Sequence, residues 1–71
     1  MCRSIIDLRR IEPPAGRDEV EAAARQFVRK VSGFRQPSRA NEAVFEAAVT
    51  AISDITDELL DGLVVGGKPI R

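Results

Sequence analysis

Histidine, tryptophan and tyrosine are absent from this 71-residue chain, which has one cysteine, one methionine and three phenylalanines. Without histidine there is no imidazole to act as a general base, to complete a zinc site, or to supply the Glu-x-x-His pairs of carboxylate metal sites in helical bundles. The single Cys2 cannot close a disulfide within the chain, and it fits a reducing compartment. No apolar run is long enough to span a membrane and no signal peptide is visible. Formal charge is zero, so there is no general electrostatic case for binding nucleic acid or a membrane. These absences lead us to expect a cytoplasmic non-enzyme with no catalytic residues, no metal, no cofactor and no membrane association.

Shortness excludes more. A chain of 71 residues makes one domain at most, and its core rarely supplies more than about 3–5 kcal/mol of net stability. With disulfides and metals set aside, oligomerisation is the remaining source of support.

The pattern that is present turns on one stretch, Arg29 to Asn41, R-K-V-S-G-F-R-Q-P-S-R-A-N. Gly33 stands where a helix end wants a left-handed residue, and Phe34 follows where it can pack back on Val28. Pro37 disfavours helix through Gln36, and Ser38 offers a hydroxyl to the free amides of a new helix. So short a connection makes antiparallel neighbours.

Helix one is predicted over about 17–32. Asp18, Glu19 and Glu21 lie in its first turns, Arg29 and Lys30 in its last, and Val20, Ala23, Ala24, Phe27, Val28 and Val31 recur at three-four spacing. Gly16 is its N-cap. Helix two is predicted over about 39–63, with an apolar face that includes Phe45, Val49, Ile52, Leu59 and Leu60. The fold class is therefore all-α, an antiparallel hairpin in which Arg25 faces Glu46 and Arg29 faces Glu42.

Helix two overhangs helix one, and the overhang carries Asp54, Asp57, Glu58 and Asp61, unfavourably placed at a helix C-terminus. An arm over residues 1–14, bearing Ile5, Ile6, Leu8, Ile11 and Arg3, Arg9 and Arg10, is expected to pack there and neutralise them. The domain then spans 1–63, and 64–71 is a short mobile tail.

Charge is divided along the chain: residues 1–39 hold nine bases and five acids, and residues 40–71 hold two bases and six acids. Lys30, Arg35 and Arg39 are left over at the joint. With the amides from Ser38 to Asn41 they form a candidate anion site for phosphate or an RNA backbone. The plainer alternative is two cations at a helix end and one in solvent. Phe34 is the one ring nearby, too little to stack successive bases. Cys2, beside Arg3, is a weaker candidate thiol. The acidic row on helix two is expected to face solvent or a partner rather than a metal. The surplus apolar face, with Val49, Ile52, Leu59 and Leu60 as candidate interface residues, points to another chain; a dimer of hairpins closing a four-helix bundle is the simplest form. An interaction module is thus the first expectation and an anion-binding module the second.

Several strings also occur in a distinctive order: M-C-R-S-I at the start, E-P-P-A from Glu12, Q-F-V-R-K-V-S-G-F from Gln26 and P-S-R-A-N-E from Pro37. In these the chain resembles the domain of unknown function 2277 family, over about residues 1–63. The resemblance implies a small helical protein with no established activity and supplies no catalytic residues. It directs attention to Met1–Arg3 and to the joint.

Overall fold

A computed structural model describes residues 5–10 and 14–71. Two helices, α1 (Arg17–Ser32) and α2 (Glu42–Gly62), form an antiparallel hairpin. A 3₁₀ turn, Leu8–Arg10, precedes α1, a second, Arg39–Asn41, leads into α2, and strands β1 (Val64–Val65) and β2 (Lys68–Pro69) follow. The protein is mainly helical, as its periodicity predicts.

Both ends of α1 follow from local chemistry. Gly16 caps it in an extended conformation, and the Glu19 carboxylate accepts the Gly16 N–H at 2.7 Å. Glycine has no hydroxyl to return the bond, so only half of a capping box forms. Gly33 is left-handed, with φ 78°, and donates to the Arg29 carbonyl at 3.0 Å. That conformation is costly for any residue with a Cβ.

The start of α2 differs from expectation. The Ser38 hydroxyl caps no backbone amide; it accepts from Asn41 Nδ2 at 2.9 Å, while the Ser38 carbonyl accepts the Asn41 N–H. The 3₁₀ turn over Arg39–Asn41 therefore does the work assigned to the cap, tightening the entry before the α-helix proper begins at Glu42.

Two small cores lie along the seam. Near the joint, Ala24 and Val28 of α1 pack with Phe45 and Val49 of α2. At the open end, Val20 and Ala15 pack with Leu60, and Leu8, Leu63 and Ile70 close over them. Leu8 thus brings the arm onto the overhang. Ile5 and Ile6 stay largely exposed, and Ile55 on the overhang is exposed too.

Residues 64–71, expected as a mobile tail, form a hairpin instead. Val64 pairs with Pro69 and Val65 with Lys68, across Gly66 and Gly67 at φ 62° and 80°. Two consecutive positive φ values make the tight turn whose twist matches antiparallel strands. The hairpin sends Ile70 into the second core and Arg71 back over α2.

Ser53 is wholly buried, and its Oγ has no hydrogen-bond partner. An unsatisfied buried hydroxyl costs about 1–3 kcal/mol. Ser53→Ala is expected to raise stability by about 1 kcal/mol, read as a higher urea midpoint with an unchanged slope.

Candidate interaction surface

The helix seam has two unlike flanks. Along one, arginines of α1 reach carboxylates of α2. Arg25 grips Glu46 with two bonds of 2.7 and 2.8 Å and lies over the Phe45 ring. Arg17 holds Glu21, Asp54 and Asp57. Arg71 donates to the Asp57 and Asp61 carboxylates and to the Ala15 carbonyl. The expected Arg25–Glu46 register is present, but Arg29 and Glu42 form no ion pair.

Among the described side chains, the cations that meet the overhang are Arg17 and Arg71 rather than Arg9. Arg17 and Arg71 neutralise Asp54, Asp57 and Asp61, whereas Arg9 turns to Asp7. Arg3 and Ile11 lie outside the described residues, as does the side chain of Arg10. For Arg17 a signal existed, because the register that pairs Arg25 with Glu46 also places Arg17 level with Asp54. For Arg71 there was none, since only the hairpin carries it back.

These contacts shift titrations in one direction. Arg71, with Arg17, holds the Asp57 carboxyl below the usual carboxylate range, and Arg25 does the same for Glu46. Glu21, then Asp57 and Asp54, raise the Arg17 guanidinium. A depressed carboxylate contributes stability that is complete above its unfolded pKa, about 4, and is lost as pH falls through the lower folded value. Stability should therefore be level from pH 7 to about 5 and decline below about 4. Asp57→Asn should be less stable than wild type at pH 6 and lose less between pH 6 and 3 in urea titrations.

The opposite flank is apolar. One hollow of about 450 Å³ at the open end is walled by Ile5, Leu8, Ala23, Phe27, Ile52 and Leu59 among others. Another of about 470 Å³ near the joint is walled by Phe27, Val31, Phe34, Val44, Ala48 and Ile52 among others. Because Phe27 and Ile52 belong to both, the two form one groove along the helix pair. Phe27 is 47% exposed, Val31 66%, Val44 67% and Leu59 57%. The Thr56 hydroxyl donates to the Ile52 carbonyl at 2.7 Å, so it offers the groove no free donor.

The expected interface residues divide accordingly. Leu59 is open to solvent and Ile52 lines the groove, but Val49 and Leu60 are buried within the protein's own cores. Residues one position apart on a helix point about 100° from each other, so the face that closes the fold and the face left open are adjacent. Phe27, Val31, Phe34 and Val44 belong to the open face and were missed. Their signal was that both apolar stripes are wider than a single neighbouring helix covers.

The joint brings together only part of the expected anion site. Lys30 and Arg35 share a cleft of about 400 Å³ with Arg29, Gln26 and Gly33. Ser38 and Asn41 bond to each other, Asn41 borders the apolar groove, and Arg39 is not among the residues of the cleft. Arg29 Nε is buried with no hydrogen-bond partner. Cys2 lies outside the described residues. Among those residues no group of three or more ligating side chains could hold a metal, and no helix is long and apolar enough to cross a membrane.

The whole chain, residues 1–71, matches the model of an uncharacterised conserved protein family, DUF2277. The chain belongs to this family. The DUF2277 match extends past residue 63 and so includes the C-terminal hairpin with Arg71. Neither a curated protein nor a solved structure matches the chain.

Proposed function

We propose that this protein is a non-enzymatic interaction module of the cytoplasm, which associates through the apolar flank of its helix pair. The observation that carries this reading is the continuous groove on which Phe27, Val31, Val44 and Leu59 stay exposed while the other flank is closed by ion pairs. A small protein leaves such a contiguous apolar strip uncovered chiefly where another surface meets it. Cytoplasmic location rests on the lone Cys2, which suits a reducing compartment.

The test is a pair of substitutions at exposed positions, Phe27→Asp and Val44→Asp, each checked for unchanged helix content by circular dichroism. Both should abolish whatever association the wild type shows in sedimentation velocity and in purification from its own source. Association that persists in both variants would defeat the reading. An apolar contact also survives 1 M sodium chloride, which a phosphate-led contact does not.

The second reading, an anion-binding module for phosphate or an RNA backbone, draws on the cleft that holds Arg29, Lys30 and Arg35 and on the unpartnered Arg29 Nε. Titration with inorganic phosphate, followed by the amide resonance of Gly33, tests it. A saturable shift that Arg35→Ala removes supports this reading, and no shift rejects it.

A further inference from the structure

Resting on the apolar-flank reading, we infer that the occupant of the groove is a second copy of this chain, running antiparallel to the first about a two-fold axis near Ala23 and Ala48. Three observations converge on that arrangement.

The first is area. The chain exposes 5261 Å², whereas a folded monomer of 7.8 kDa typically exposes about 4,400 Å². The surplus of about 900 Å² is close to the roughly 800 Å² that each partner buries in an interface of standard size. The exposed apolar side chains of the flank, Phe27, Val31, Val44 and Leu59 among them, contribute to that exposed surface, and a two-fold interface presents the same strip on both copies.

The second is charge along the long axis. At the joint end Arg29, Lys30, Arg35 and Arg39 have only Glu42 among them, and none of these cations forms an ion pair with a described residue. At the open end four carboxylates, Glu21, Asp54, Asp57 and Asp61, share the two guanidiniums of Arg17 and Arg71. Asp18, Glu19 and Glu58 add to that excess; Arg9 at the same end is matched by Asp7, and Lys68 only partly offsets the rest. A parallel dimer would stack like ends. An antiparallel one sets each basic end beside an acidic end.

The third is register. Arg25 opposite Glu46 and Arg17 opposite Asp54 fix which residues of α1 and α2 lie level. The residues common to both halves of the groove, Phe27 and Ile52, lie either side of the level of Ala23 and Ala48. These small side chains let two helix pairs approach closely there. A two-fold axis at that level brings Phe27 of one copy to Ile52 of the other, and Phe34 to Leu59. It also puts Lys30 within about one helical turn, ~5.4 Å along the axis, of Glu19 and Glu58 of the second copy. Within one chain Lys30 and Glu58 are about 25 Å apart along the axis, because they sit at opposite ends of the hairpin.

That last separation supplies the experiment. The full chain is examined by sedimentation equilibrium, then treated with a carbodiimide, which joins an ammonium directly to a carboxylate without a spacer. The expected results are a mass of two chains and a Lys30–Glu58 or Lys30–Glu19 link found in the dimer band. Lys30→Glu is expected to weaken the dimer about fivefold, and addition of Glu58→Lys to restore it; both substitutions are at exposed positions outside the two cores. A dimer lacking these links and indifferent to the charge exchange overturns the antiparallel arrangement and leaves the apolar-flank reading standing. A wild type that is one chain at all concentrations overturns the second copy as occupant. If Phe27→Asp then releases a different protein from the wild-type chain, the flank reading survives with another partner; if it changes nothing, that reading fails as well.

Discussion

Leu60→Asp is expected to leave the protein unfolded at 25 °C, whereas Leu59→Asp, one residue earlier, should keep the helices and lose only association. Leu60 is 4% exposed and packs with Val20, which is fully buried, and Ala15. Truncating such a leucine to alanine costs about 2–5 kcal/mol, and a carboxylate in the same place adds the penalty of an unpaired buried charge. A domain of this size has about 3–5 kcal/mol in hand, so the loss exceeds the reserve. Leu59 projects from the adjacent face and is already in water. Far-ultraviolet circular dichroism and sedimentation velocity of the two variants decide the matter together. A folded Leu60→Asp chain would mean that the second core contributes far less than its burial implies.

Arg71→Ala is expected to cost about 2 kcal/mol and to loosen one end of the protein only. The Arg71 side chain is 18% exposed. Its Nε and Nη2 donate to the Ala15 carbonyl at 3.2 and 3.0 Å, and its other bonds reach the Asp57 and Asp61 carboxylates and the Asp57 carbonyl. Removing the guanidinium strands a buried carbonyl and leaves Arg17 as the remaining cation for Asp57. It also frees β2, so Ile70 loses its anchor over Leu60. Arg71→Lys should recover only part of the loss, because one ammonium cannot serve a carbonyl and two carboxylates at these separations. Amide exchange should quicken at Ala15–Val20 and Asp57–Leu63 and stay unchanged around Phe45, whose core is separate. Uniform acceleration would show the two cores to be a single cooperative unit.

The difference between Arg17 and Arg71 shows how far the sequence could be followed. Arg17 is about two helical turns from Arg25, and the same arithmetic that places Arg25 on Glu46 places Arg17 level with Asp54. Arg71 depends on a two-residue turn at Gly66 and Gly67, whose geometry reverses the chain. Glycine pairs between short apolar strings do signal such turns, but helix-end rules alone also explain glycines after Leu63. The Ser38 cap failed for a related reason: Asn41 competes for the same hydroxyl, and which donor wins depends on the geometry of the turn.

On the surface the limit was directional. Three-four spacing marks an apolar stripe without saying which half of it meets the partner helix. Val49 and Leu60 fell on the covered half, Leu59 on the open half, and the choice follows from the crossing of the helices and from Leu8 and Ile70 filling the far end. The division of charge along the chain, by contrast, was legible at once, and the cross-helix pair Arg25–Glu46 agrees with it; the unlike ends come instead from Arg29, Lys30, Arg35 and Arg39 around the turn and from acids of both helices at the open end.

The sequence by itself determined the two helices, their limits near Gly16 and Gly33, the antiparallel turn, the Arg25–Glu46 register and the membership suggested by its strings, because each rests on residues close in the chain or on a fixed helical period. The tertiary structure decided which apolar residues are core and which form the groove, which cations meet the acids of the overhang, and that the joint cleft gathers Arg29 rather than Arg39. Those depend on the relative placement of segments far apart in the chain, which no local spacing encodes.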